Sequence, residues 1–203
     1  QGYFGMVKCI DDNVGRLLKF LDDNKLAENT IVVFTSDHGD LMGEHRRHNK
    51  GLPYETSAKV PFVIRYPEKI KAGITVEKAY TMVDFAPTVL GLMDAPQIPE
   101  SEGLNAAADL TNTSKKLTDD RITYITSSAG NWACAVNNRY KLVLSKKDSP
   151  WLFDLQKDPD EMINYYNQTG YEKMSSKMMA ELKRQMKKYN EPILTKGNNL
   201  IYQ

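Results

Sequence analysis

What this chain has little of sets its first limits. Its 203 residues include only two cysteines, Cys9 and Cys134, far apart and with no CxxC spacing. That argues against a zinc or redox centre and makes both read as small buried apolar residues. No stretch approaches the roughly 18 consecutive apolar residues of a membrane span, and the opening QGYFGMVKC lacks a signal peptide's charged and apolar regions. A net charge of +1 with 26% charged residues leaves no basic field and no acidic tail, so neither nucleic acid nor membrane is expected as a partner. Internal repeats and low-complexity tracts are absent. The chain opens on Gln1 rather than Met, as a processed product or an excised piece would, which leaves the compartment open.

Histidine is scarce as well, yet all three, His38, His45 and His48, fall within eleven residues, beside Asp37, Asp40, Glu44 and Lys50. They belong to the stretch Ile31 to Lys50, IVVFTSDHGDLMGEHRRHNK, around which the rest is organised. Its first five residues, Ile31 to Thr35, are too few for a helix and suit a strand buried on both faces of a parallel sheet. That strand empties into Ser36-Asp37-His38-Gly39. Ligands of open α/β sheets gather beyond the carboxyl ends of strands, so an acid and an imidazole there are placed to meet one. Gly39 permits a sharp turn and a close backbone approach.

The remaining chain gives two halves. Met6, Ile10, Val14, Leu17, Leu18 and Leu21 recur at helical steps, predicting an amphipathic helix over about residues 5–25. Asp11-Asp12 and Asp22-Asp23 read as its solvated face rather than as paired catalytic acids, because neighbours on a helix point apart. A strand from Thr30 to Thr35, a short segment from Leu52 to Ala58 and a second apolar run from Val60 to Tyr66, opened by Pro61, suggest a sheet with parallel strands. Asp84 is expected to cap a helix from Phe85 to about Met93, with Pro87 in its first turn. Residues 94–120 read as a linker or wrapping loop. Beyond it, Ile122 to Ser127, Trp132 to Val136, Tyr140 to Leu144 and Trp151 to Phe153 are short β-prone runs, with Asn137-Asn138-Arg139 as a tight turn. Trp132 and Trp151 are expected to pack across strands. A helix from about Tyr171 to Tyr189 follows, and the final TKGNNLIYQ is expected to fray or lie on the surface. The expected class is therefore α/β, with parallel strands and flanking helices over residues 1–120 and a smaller α+β subdomain over 121–203.

Asp37 and His38 are neighbours in a loop, where both can reach one cation. Carboxylate oxygen suits calcium or magnesium and imidazole leans toward transition metals, so the pair does not fix the ion. Lys50 offers a compact charge with three donors, suited to a tetrahedral oxyanion such as sulfate or phosphate. Each also has a plain reading: Asp37 as a turn cap, His38 as a satisfied buried imidazole, Lys50 as a solvated surface charge. On spacing alone both readings stay open.

Thr35-Ser36-Asp37-His38-Gly39-Asp40, Gly43-Glu44-His45, Lys50 and Val60-Pro61 together resemble the second half of a sulfatase of the alkaline-phosphatase superfamily. So do Asp11-Asp12-Asn13-Val14-Gly15, Asp84-Phe85-Ala86-Pro87-Thr88, and Leu152-Phe153-Asp154-Leu155 followed by Asp158-Pro159 and Glu161. The resemblance implies an incomplete sulfatase-like sheet and hydrolysis of sulfate esters. It implies a divalent cation, usually calcium, with Asp37 and His38 as two of its ligands. Lys50 would contact the sulfate as a catalytic and substrate-binding residue, His45 and His48 would line the pocket, and the substrate would be a sulfated small molecule or carbohydrate. The family's nucleophile is a formylglycine made from Cys or Ser in a Cys/Ser-x-Pro/Ala-x-Arg motif, to which neither Cys9 nor Cys134 conforms. The chain is thus expected to be the C-terminal part of a sulfatase, inactive without its missing N-terminal half. Two alternatives remain: a related phosphatase or phosphonate hydrolase, and a non-catalytic oxyanion- or carbohydrate-binding derivative.

Overall fold

A computed structural model of the chain describes residues 2–112 and 121–191. The first element is the long helix α1 (Gly2–Asp23). Its solvated face behaves as expected: Lys8 pairs with Asp12, and Lys19 with Asp23 at 2.8 Å, each one helical turn on. Its apolar stripe does not. No residue of α1 is buried, and Met6, Ile10, Leu17 and Phe20 stand exposed. Cys9 is exposed on the same helix, contrary to its reading as a buried residue. The helix ends where Lys25 enters the left-handed region at φ +58° and the amide of Leu26 reaches back to the carbonyl of Leu21.

Strand β1 (Val32–Thr35) pairs with β2 (Phe62–Arg65), and the pairing is antiparallel, with Val33 opposite Ile64. This corrects the expected parallel arrangement. Parallel neighbours need a crossover, usually a helix laid over the sheet. Residues 36–61 instead form a loop and the four-residue helix α2 (Glu55–Ala58), which ties back to the end of β1, so the chain reverses along its neighbour. Nor is β1 buried on both faces, since Phe34 is exposed.

Helix α3 (Phe85–Leu92) has Pro87 in its first turn and Asp84 at its N-cap position as expected, but the Asp84 side chain makes no cap bond to α3 and instead closes a capping box with Thr81 one turn earlier. Asp84 sits in a single helical turn before α3, buried, and its carboxylate accepts from the amides of Thr81 (2.9 Å) and Leu104 (2.7 Å) and from Arg121 Nη1 and Nη2, both at 2.8 Å. Residues after α3 do wrap it. Gly103 lies so close that a Cβ there would stand 1.9 Å from the carbonyl oxygen of Val83, and the Thr88 hydroxyl accepts from the Ala106 amide just before α4 (Ala107–Thr111). The expected boundary near residue 120 adjoins residues outside those described.

The second sheet is the expected meander: β3 (Thr123–Thr126), β4 (Trp132–Val136), β5 (Tyr140–Ser145) and β6 (Trp151–Asp154), antiparallel in sequence order. Asn137 builds the β4–β5 turn by accepting the amides of Arg139 (2.9 Å) and Tyr140 (2.7 Å) through its side chain. Period-two alternation divides the sheet's two faces. Ala133, Ala135, Leu142, Leu144 and Leu152 meet Met178, Leu182 and Met186, spaced by four along α5 (Glu172–Lys188). Trp132, Cys134, Val143 and Phe153 point to the other face, against Tyr54 and Trp151. The two tryptophans therefore pack across strands, as expected. The terminal TKGNNLIYQ lies outside the described residues.

Candidate active site

The end of β1 brings three chemically distinct groups together. His38 Nε2 lies 3.3 Å from Asp37 Oδ2 and 2.6 Å from Lys50 Nζ. The other ring nitrogen, Nδ1, is 2.7 Å from the carbonyl oxygen of Gly39. A carbonyl only accepts, so Nδ1 carries the proton and Nε2 presents a lone pair that Lys50 donates to. Asp37 Oδ2 and His38 Nε2 are thus two acceptors facing one place, an arrangement that favours a cation between them. Asp37 is exposed. Desolvation pushes its carboxyl up, but the amide of His38 at 3.0 Å and the Ser36 hydroxyl help to outweigh that and hold it below the usual carboxylate value.

Helix α2 holds the two arms of this loop in place. The amide of Gly39 donates to the carbonyl of Ser57 (2.9 Å), and the amide of Gly51, next to Lys50, donates to the Ser57 hydroxyl (3.1 Å). A Cβ on Gly39 would stand 2.0 Å from the carbonyl oxygen of Thr56, so only glycine permits this approach. Between the arms, residues 41–49 form a ribbon closed by Leu41 N–H to Asn49 O and Gly43 N–H to Arg47 O, both 2.8 Å. Met42, His45, Arg46 and Asn49 all take positive φ there. Such left-handed non-glycine residues each cost about 1 kcal/mol or more and gather where surrounding structure fixes a loop for function.

The other two expected site residues, His45 and His48, make different contacts. His45 stacks on Tyr54, ring centroids 3.6 Å apart and planes 10° from parallel, and Tyr54 stacks in turn near Trp151 at 5.9 Å. His48 is exposed beside Gly43.

This geometry can be set beside known proteins. The family model described as Sulfatase matches residues 1–95. The N-acetylglucosamine-6-O-sulfatase of Bacteroides thetaiotaomicron is 31% identical, an alignment covering 99% of this chain and 39% of that protein. The chain is similar to sulfatases along nearly its whole length. A solved structure described as a complex with its substrate D-glucosamine-2-N,6-O-disulfate is 30% identical over 92% of this chain and 40% of its own, at a TM-score of 0.76. The phosphonate monoester hydrolase of Agrobacterium radiobacter is 25% identical over 90% of this chain and 40% of its own, at 0.74. The chain spans about two fifths of the length of the curated relatives it matches.

In this sulfatase-like chain, the donor set at the loop fits a divalent ion in part. Asp37 supplies oxygen and His38 a free ring nitrogen, but among the described residues no group of three or more His, Cys, Asp or Glu is placed to hold a metal. A hard cation such as calcium takes about six to eight ligands. These two can form one side of such a site.

Several contacts that shape the loop were not expected from sequence. Ser57 and Tyr54 sit in the short segment before β2, and Trp132 Nε1 donates to the carbonyl of Gly51 at 2.8 Å from a strand some eighty positions later. Nothing in local pattern marks such a contact.

Proposed function

We propose that this chain contributes the strand-end side of a site that hydrolyses sulfate esters, completed by residues beyond these 203. The observation that carries this reading is the convergence of Asp37 Oδ2, His38 Nε2 and Lys50 Nζ within 3.3 Å of the ring nitrogen. Asp37 and His38 would hold a divalent cation, calcium by the carboxylate and the family resemblance, and the bound ion would neutralise charge on the sulfate oxygens. The Gly39 carbonyl keeps the imidazole in the tautomer that leaves Nε2 free for it. Lys50 would then turn its ammonium from His38 to a sulfate oxygen and stabilise negative charge developing as the ester bond breaks. Neither cysteine stands in this cluster, so the nucleophile, a formylglycine by family resemblance, would come from the remainder of the parent protein. His45, fixed against Tyr54, and His48 would form the rim that meets the rest of the substrate. A sulfated carbohydrate is the favoured class, supported by the disulfated glucosamine and the acetylglucosamine sulfatase among the related proteins.

A second reading, hydrolysis of a phosphate or phosphonate ester, draws support from the likeness to the phosphonate monoester hydrolase. Lys50 would serve either tetrahedral oxyanion. Assay of the parent protein on aryl sulfate and aryl phosphate separates them. Preferred cleavage of the sulfate is expected; preferred cleavage of the phosphate would give the second reading the site, and cleavage of neither would leave an oxyanion-binding derivative of the fold.

A further inference from the structure

The meander carries a buried charged cluster that the site chemistry does not use. Lys141, on β5, has no solvent exposure, and its ammonium has three acceptors for its three protons: the carbonyl of Pro53 at 2.8 Å, Glu161 Oε1 at 2.7 Å and Glu55 Oε1 at 2.5 Å. Glu161 divides its two oxygens. One takes Lys141, and the other accepts the amide of Glu55, the first residue of α2, at 2.6 Å. Glu161 is itself held at φ +52° in a turn where Asp158 accepts the amide of Ile163 at 2.7 Å. The backbone is thus kept in an unfavourable conformation that brings this one carboxylate to the start of α2.

An apolar trio of similar volume would join the two parts of the chain at least as well as a buried ion cluster, so stability alone is a poor account of it. Direction is a better one. From Glu55 the path runs two residues along α2 to Ser57, whose carbonyl and hydroxyl hold Gly39 and Gly51, and so to His38 and Lys50. Trp132 of β4 reaches Gly51 directly through its carbonyl.

We infer that Lys141, Glu161 and Trp132 are positioning residues: through α2 and Gly51 the meander sets the separation of the His38 ring from the Lys50 ammonium. The role deepens the proposed hydrolytic site and rests on reading His38 and Lys50 as its working groups. They act without touching substrate, by fixing where the cation and oxyanion contacts stand.

The test uses the 203-residue chain labelled with nitrogen-15 and reads two quantities that need no turnover. One is amide hydrogen exchange at Gly39 and Gly51; the other is the pair of His38 ring nitrogen shifts, which report its tautomer and the Lys50 contact. In Glu161→Gln, exchange at both glycines is expected to quicken by about tenfold and the Nε2 shift to move, while the amides of Leu142 and Leu152 keep their protection. Trp132→Phe keeps the ring's packing and removes only the bond to Gly51. It is expected to quicken exchange at Gly51 and move the Nε2 shift, and it decides the matter alone if Glu161→Gln loses the meander. Unchanged glycine exchange and unchanged His38 shifts over an intact meander would overturn the inference. A parent that cleaves no sulfate ester would defeat the proposed function and leave this coupling standing, so the two failures are distinct.

Discussion

His38 and Lys50 lie twelve positions apart in sequence, yet the imidazole and the ammonium meet at 2.6 Å. Between them runs a ribbon with four left-handed non-glycine residues, closed at its base and anchored on both sides to Ser57.

Gly39 is where this loop tolerates least change. Gly39→Ala places a methyl 2.0 Å from the carbonyl oxygen of Thr56, so the backbone must shift. The variant is expected to lose about 1–3 kcal/mol of stability, read as a lower urea midpoint at unchanged slope. A wild-type midpoint would mean that the loop yields freely and that the close approach is not needed.

The meander depends on apolar contact with α5. Leu182 is fully buried among Met178, Met186 and the leucines of β5 and β6. Leu182→Ala is expected to cost about 2–5 kcal/mol, again measured by urea unfolding. A loss below about 1 kcal/mol would show that α5 is not a stabilising partner of the sheet.

Acid should weaken the fold through two buried carboxylates. Burial raises Asp84 and Asp154, but Arg121 with the Thr81 and Leu104 amides, and Arg139 with the Tyr171 hydroxyl, more than offset it, so both fall below 3.8. The unfolded chain then binds more protons than the folded one as pH drops through 3.8. Their contribution is fully present above that value and is lost as pH falls toward their folded values. Glu161, raised chiefly by burial, acts in the opposite sense above its ordinary 4.5. Urea midpoints measured from neutral pH downward should hold to about pH 5 and then fall steeply, and Asp154→Asn should flatten the fall. A flat profile down to about pH 3 would contradict this account.

The two thiols should differ in reactivity. Cys134 is buried in β4 and its thiol is pushed up to about 12 by burial, with Lys141 only partly opposing, whereas Cys9 is exposed on α1. Mass spectrometry after iodoacetamide treatment of the native chain should find Cys9 labelled and Cys134 not, with both labelled once unfolded. Native labelling of Cys134 would show that β4 opens.

How far the sequence discloses this molecule depends on how local each feature is. Asp37, His38, Gly39 and Lys50 were legible because they share one loop at a strand end, and the meander because each strand alternates and each turn has its own residues. The β1–β2 direction was not, since it depends on whether residues 36–61 cross the sheet or fold back on it. The apolar stripe of α1 was readable as a stripe; that nothing among the described residues buries it was not. Asp84 was readable as the residue capping α3, but that its side chain closes on Thr81 and pairs with Arg121, far along the chain, was not. Lys141 reads as one charge within a β-prone run, and its partners Glu55 and Glu161 lie in other elements.

The role of Lys50 is tested most directly by the turnover number of Lys50→Ala in the parent protein on an aryl sulfate. Loss of a preorganised cation aimed at developing charge predicts a fall in kcat of about a hundredfold to a thousandfold, with the unfolding midpoint unchanged. A variant that folds normally and keeps the wild-type kcat would show that the ammonium beside His38 plays no part in the chemistry.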